Sequence, residues 1–384
     1  MNNAPMTDNI SCEKPPPNAD GPCQVSIIIK ALNEQACIAA TLESALRALS
    51  VVGGEVILAD SCSTDRTVEI ARGYPVRIVQ LVHPDERCCG VGPQLGFQWA
   101  RGEFLYLVDG DMQLVDGFLE QALSFMRSHP DIAGVGGRVL EMNLGNPEYQ
   151  ARNDRWTQEK SGASGRLDCG GLYRRSAIEA TGYFSDRNLH SYEEFDLAAR
   201  LRTLGWGLWR LPVNAVSHFG HTTQPYQLLW RRWHGGYLWG LGELLRASAC
   251  GPRQRLRLAL LEVREIRLYV AVLMWWVVLL ALLWLPTSAT VRGVAAAALL
   301  LVPLALMTWR KRSLARGLYA VTAWCFNAAG MLRGLLQKPR FSQPIVDGHQ
   351  LQDARPIQPR SVTPATTSTN STTSTTRPES MYAH

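Results

Sequence analysis

The sequence predicts an α/β fold, a mostly parallel sheet with helices on both faces, followed by interfacial and transmembrane helices. Short apolar runs alternate with helix-length amphipathic segments through the first half of the chain, the pattern of strand–helix–strand units. Acidic residues stand just past the ends of those runs, at the sheet edge where open α/β folds bind ligands. Beyond residue 223 the chain turns to tryptophan, arginine and long apolar stretches.

Residues 25–29, Val-Ser-Ile-Ile-Ile, read as a buried strand, and 34–49 as an amphipathic helix. A second strand covers 55–59, with a helix opening near Asp65, and a third covers 76–81. A glycine-bearing helix over 90–100 leads to a strand at 103–108. The stretch 131–220 is more mixed, with a helix at 194–204 and a short strand at 208–216. Residues 24–222 are thus expected to form one domain. Residues 1–23 are polar and proline-rich, with no apolar signal core, and 337–384 include a Ser/Thr/Pro-rich run at 361–378. Both ends are expected to be disordered, because neither can bury a core.

The second half points to a membrane. Trp230, Trp233 and Trp239 are interleaved with Arg231, Arg232, Arg246, Arg253, Arg255 and Arg257, so 223–267 is expected to lie as amphipathic helix at a bilayer interface. No charge falls between Arg267 and Arg292, and 268–285 is long enough to span. Residues 293–309 form a second candidate, and 317–332 a weaker third that Asn327 interrupts. Residues 268–336 therefore hold two or three transmembrane helices. Arg310, Lys311, Arg312 and Arg316 follow the second candidate, against Arg292 alone before it. That bias predicts a multi-pass inner-membrane protein with its first domain in the cytosol. The modest excess of 39 Lys+Arg over 33 Asp+Glu gathers after residue 230, which points to membrane lipids as partner and not to nucleic acid. Nine cysteines contain no Cys-x-x-Cys, so no zinc framework is expected and a reduced setting is the simpler account.

Asp109-Gly110-Asp111 carries the chemistry. The two carboxylates emerge together from the 103–108 strand, and hard divalent cations are held by carboxylates together with substrate phosphates. An Asp-Gly turn is the plainer reading of the same residues. Asn33-Glu34 follows the first strand, and Asp60 the second, where it can accept hydrogen bonds from a base or ribose. Ser63-Thr64-Asp65 reads mainly as helix capping. Cys169-Gly170-Gly171, ahead of Arg174-Arg175, makes a small-residue loop able to approach a ligand. Glu193-Glu194 opens a helix, where acids suit the macrodipole; facing the Asp109/Asp111 site, a carboxylate there can take a proton from a hydroxyl. His218, past the 208–216 strand, is a candidate metal ligand or pyrophosphate contact.

In this order and spacing, Asn33-Glu34, Asp60-x-x-Ser-Thr-Asp65, Gly96-x-x-x-Ala100-x-Gly102-Glu103, Asp109-x-Asp111, 169–175 and Glu193-Glu194-x-Asp196-Leu197-x-x-Arg200-Leu201 resemble family 2 glycosyltransferases of the GT-A, Rossmann-like fold. The resemblance implies inverting hexosyl transfer from a nucleotide-diphospho sugar to a hydroxyl acceptor, with Mg or Mn as cofactor. It places Ala31, Asn33, Glu34, Asp60, Asp109, Gly170 and Gly171 at the donor, Asp109, Asp111 and His218 at the metal, and Glu194 with Glu193 at the base position. The chain departs from the family at Ala31-Leu32, at Ser61, at Pro93-Gln94 where an arginine is usual, and at Glu194 where Asp is usual; Arg87 is the candidate substitute for the arginine. Leu229-Trp-Arg-Arg-Trp233 lacks the glutamine of processive synthases, so single-sugar addition is expected. Membrane segments imply a lipid-linked or membrane-associated acceptor in polysaccharide or glycolipid synthesis. Two other classes compete. One is a sugar nucleotidyltransferase, which releases pyrophosphate. The other is a non-catalytic membrane-bound sugar-nucleotide sensor.

Overall fold

The computed structural model describes residues 23–144, 150, 153–154, 161–168, 170–220 and 223–359. Most of the N-terminal stretch, Cys169 and the 361–378 run lie outside the described residues. Strands β1 (Val25–Ala31), β2 (Glu55–Asp60), β3 (Arg77–Leu81) and β4 (Phe104–Asp109) form a parallel core in the order β3-β2-β1-β4. They are connected by α1 (Ile38–Val52), α2 (Thr67–Ala71) and α3 (Val91–Trp99). Val25, Ile27 and Ile29 face the core under α1, while Ile28 faces the one under α3. A strand buried on both sides has to be apolar throughout, which is why the run at 25–29 shows no alternation. Gly96 lets α3 approach the sheet, since a Cβ there would lie 2.3 Å from Ile28.

The remaining strands widen the sheet. They are β5 (Met112–Leu114), β6 (Ile132–Glu141), β7 (Gly162–Ala163), β8 (Leu172–Arg174) and β9 (Gly207–His218). Helices α4 (Phe118–Ser128), α5 (Arg175–Ala180) and α6 (Glu193–Thr203) cover them. With a further strand, β10 (Gly348–Gln352), the order runs β10-β3-β2-β1-β4-β8-β6-β9-β5, with β7 on β9. Strand β9 has 12 residues where a short strand was expected, because register shifts along its ladder with β6 absorb the irregular 210–214 stretch.

Two boundaries differ from expectation with consequences for the site. Helix α1 begins at Ile38, not Glu34: Asn33 has φ 61, and the Cys37 and Ile38 N–H groups donate to Glu34 O in a preceding turn. Glu34 therefore stays at the sheet edge. The segment expected to be a structureless tail from 337 is ordered as far as 359, and β10 (Gly348–Gln352) pairs antiparallel with β3. Its polar His-Gln-Leu-Gln sequence gives no burial signal, because an edge strand is held by main-chain hydrogen bonds. Val346 is fully buried beside it, Asp353 takes the Arg77 guanidinium at 3.0 Å, and Gly54 bridges to Ile357.

Beyond β9 come α7 (Pro225–His234), α8 (Gly240–Ala249), α9 (Arg253–Glu262), α10 (Glu265–Ala281), α11 (Ala289–Lys311) and α12 (Leu314–Leu336). Helices α8 and α9 dock one face on the sheet domain. Leu241, Leu244, Ala259 and Val263 share a core with Phe195 and Ala199 of α6. Arg255, expected among headgroup anchors, is buried and paired with Asp196. Residues Glu265–Trp284 and Ala289–Lys311 are long and apolar enough to cross a bilayer, with mean hydropathy 2.3 and 2.0. Their side chains are largely exposed, including Trp284 and Trp309. Helix α12 instead packs along α7 and α8, through Tyr226–Tyr319, Trp233–Phe326 and the close approach of Gly330 to Leu238.

Candidate active site

Strand pairing builds the site. Ala31 lies opposite Asp60 and Lys30 opposite Asp109 in the parallel ladders, so the exits of β1, β2 and β4 share one edge. Asp60 is fully buried, and its Oδ2 accepts from Ser63 N–H at 2.9 Å and from Gln80 at 2.8 Å. Its Oδ1 is buried without a hydrogen-bond partner among the described residues. Such an oxygen is costly unless a ligand donates to it. Arg87 donates to Cys62 O at 2.6 Å, which puts its guanidinium at the Asp60 end of the edge. Asn33 ties the first two exits together, its N–H donating to Ser63 Oγ at 2.9 Å and its Oδ1 accepting from Thr64 N–H at 2.8 Å. Asp65 accepts from Thr67 N–H at 2.9 Å, the capping role expected of that stretch.

The two acids of the Asp-x-Asp have different surroundings. Asp109 is held by Lys30 at 3.1 Å, and Lys30 also meets Glu193 at 3.3 Å. Burial works against the Lys30 ammonium, but Asp109, Glu193 and Glu194 outweigh it and raise its pKa well above the usual lysine value. Asp111 Oδ2 lies 3.3 Å from His218 Nε2, and His218 Nδ1 lies 2.6 Å from Glu141 Oε2. The β5–β9 and β6–β9 ladders make this contact, setting His218 opposite Met112 and Glu141. A proton on Nδ1, toward Glu141, would leave Nε2 as an electron-pair donor beside Asp111 for a cation. Two ligands at right angles on one small cation stand roughly 3 Å apart, close to the Asp111–His218 separation, so this pair fits a divalent ion. Glu34 packs against Gly110, where a Cβ would lie 2.7 Å from its Cγ. Burial first, then Asp111, Asp109 and Asp65, push its carboxyl to about 8 against the opposing effect of His218.

Glu193 and Glu194 diverge. Glu193 turns to Lys30, whereas Glu194 lines a cavity of about 210 Å³. Arg166 and Asp168 form one wall of that cavity, and Tyr237, Tyr269 and Asn327 another. Burial and then the Glu193 charge push the Glu194 carboxyl up to about 8, with Asp168 and Asp109 adding and Lys30 opposing. The turn carrying these acids is tied to the helices beyond. His190 N–H donates to Glu243 at 3.0 Å and Ser191 Oγ to Tyr237 O at 2.8 Å. Tyr192, just ahead of the acids, has φ 68, a conformation that non-glycine residues keep only where the surroundings impose it. Gly170 and Gly171 exchange main-chain hydrogen bonds with Leu107 at 3.1 and 3.0 Å, continuing the sheet beside Asp109.

Sequence reading missed Lys30, Glu141, Arg166 and Asp168. A lone lysine closing an apolar strand was a usable signal for the first. Glu141 ends a strand without a motif, and Asp168 acts through Arg166 and Arg210, at 3.2 and 3.6 Å, pairings that only the fold creates.

Acids at the exits of a parallel sheet with a further carboxylate across the edge fit the GT-A glycosyltransferase arrangement that the sequence motifs resemble. Residues 26–182 match the model of glycosyl transferase family 2. The low-salt glycan biosynthesis hexosyltransferase Agl6 of Haloferax volcanii is 30% identical over 136 residues, covering 32% of this chain and 32% of that protein. An uncharacterised Mycobacterium tuberculosis protein is 31% identical over 112 residues, covering 28% and 32%. The matches thus span about a third of the length of these curated relatives. The mannosyltransferase PcManGT from Pyrobaculum calidifontis, solved with GDP-Man and Mn2+, shares the fold at a TM-score of 0.56 and 17% identity, covering 84% of this chain and 92% of that one.

Proposed function

We propose that this chain is an inverting glycosyltransferase that moves a hexosyl group from a nucleotide-diphospho sugar to a hydroxyl on a membrane-associated, lipid-linked acceptor. It works at the cytoplasmic face of a membrane, in polysaccharide or glycolipid synthesis. One observation carries the reading: Glu194 stands in a cavity that is also lined by Tyr269 of α10, the first of the two apolar hairpin helices, and by Asn327 of α12, while its charged neighbours Glu193, Lys30 and Asp109 lead to the acidic donor edge.

The open Oδ1 of Asp60 accepts an N–H or O–H of the nucleoside, and Arg87 beside it favours an anionic donor. Asp111 and His218 would hold the divalent cation, Mg or Mn; when bound it supplies Lewis-acid neutralisation of the departing diphosphate, an effect of several kcal/mol. Lys30 holds Asp109 in place through their ion pair. Ionised Glu194 removes the acceptor proton as the acceptor oxygen attacks the anomeric carbon from the face opposite the diphosphate. The new C–O bond forms, the bond to phosphate breaks, and nucleoside diphosphate leaves with inversion at carbon. Such a base contributes about 10²–10⁴-fold.

The test is incubation of membranes containing the protein with a panel of radiolabelled nucleotide sugars, followed by lipid extraction. One sugar should enter the lipid phase with release of nucleoside diphosphate, and Asp111→Asn and Glu194→Gln should each abolish transfer. Glu194→Gln should still bind donor. Release of pyrophosphate, or donor binding with no transfer or hydrolysis, would refute the proposal.

A further inference from the structure

Asn327 is an amide in the middle of an otherwise apolar segment, and a lipid-facing amide there is expensive. The fold gives it another environment. Gly330, Met331 and Gly334 press against Leu238, Trp239 and Gly242, with a Cβ at Gly330 lying 2.4 Å from Leu238 O. Asn327 is three residues before Gly330 and seven before Gly334, and so shares that docking face. One turn from the tightest contact it meets the cavity that also exposes Glu194, Tyr237 and Tyr269. Its Nδ2 donates to Ala323 O at 2.7 Å, which fixes the amide plane against its own helix.

Charge in the cavity narrows what it takes. Among its described lining residues Arg166 is the one cation, and it is paired with Asp168 at 3.2 Å. A phosphate monoester at Glu194 would add negative charge beside Glu193, Glu194 and Asp168, while the one lining cation, Arg166, already serves Asp168. Tyrosine hydroxyls, an amide and a carboxylate instead suit an uncharged group with several hydroxyls, and an aromatic wall suits its apolar face.

Resting on the transferase reading above, we propose that Asn327 is an acceptor-positioning residue, which with Tyr237 and Tyr269 seats an uncharged, sugar-like hydroxyl head of the acceptor against Glu194. The head reaches this seat along the seam between α10 and α12, at the foot of the apolar hairpin. The acceptor's specificity is therefore written partly in the membrane-side helices and not only in the sheet domain.

The test uses the full-length protein in detergent with its donor and two probe acceptors, an octyl glycoside and decyl phosphate. Wild type should glycosylate the octyl glycoside and not decyl phosphate. Asn327→Leu should raise the glycoside KM about tenfold, a loss of about 1.4 kcal/mol in binding, with a much smaller change in kcat. Asn327→Ser, which keeps a hydroxyl, should recover part of the KM. A thermal melt confirms that each variant is folded; should Asn327→Leu not fold, Tyr269→Phe is read in its place. An unchanged KM in the folded variants, or an octyl glycoside left unmodified while donor is hydrolysed, overturns the inference. So does preference for decyl phosphate. Absence of any nucleotide-sugar turnover by wild type refutes the parent reading instead.

Discussion

The pH dependence of transfer gives the sharpest check on Glu194. A general base works only when ionised, and burial with the Glu193 charge holds this carboxyl at about 8. The ionised fraction is then about a tenth at pH 7 and about nine-tenths near pH 9, so acceptor kcat/KM should rise about tenfold across that interval. Glu193→Gln removes the largest neighbouring negative charge, which eases ionisation and moves the rising limb to lower pH. Glu34 also sits at about 8, but its field comes from burial, Asp111, Asp109 and Asp65, so Glu34→Gln should leave the limb in place. Stability supplies a second readout. The folded state keeps the Glu194 proton up to about 8, whereas a carboxyl with the ordinary value of 4.5 has lost it well below. Glu194 therefore favours the fold fully below pH 4.5 and ever less as pH climbs through 8. Relative to wild type, Glu194→Gln should gain stability between denaturant melts at pH 5 and pH 8. A flat pH–rate profile, or a limb displaced upward in Glu193→Gln, would defeat the assignment.

Two further outcomes follow from packing and hydrogen bonding. Glu141→Gln takes the carboxylate from His218 Nδ1 and should weaken divalent-ion binding about 10- to 100-fold; calorimetric Mn2+ titration showing unchanged affinity would remove Asp111–His218 as the metal pair. Gly330→Leu forces a side chain into Leu238 O and should destabilise the docked α12 by about 1–3 kcal/mol, read as earlier proteolysis between α11 and α12.

The parallel core was readable from sequence because its strands are buried on both faces and show as unbroken apolar runs. The strand-end acids were readable for the same reason, since each follows such a run by a residue or two. What escaped notice depends on partners distant in sequence. Nothing local marks Glu141 as the support for a histidine 77 residues on, and the strand at 348–352 is polar because it occupies an edge. The arginines of α8 and α9 look like membrane anchors until the fold shows Arg246 donating to Gly334 O at 2.6 Å and Arg255 paired with Asp196. Composition tells an interfacial helix from a soluble one poorly when both carry Leu, Trp and Arg.

The hydrogen bonds joining β10 to β3 impose a parity rule on the whole chain. A segment near residue 350 cannot be stitched into a sheet begun at residue 25 unless both lie in the same compartment, so the path between them crosses a bilayer an even number of times. On the proposed membrane reading, an out-and-back passage of α10 and α11 would satisfy that count and leave α12 no crossing of its own.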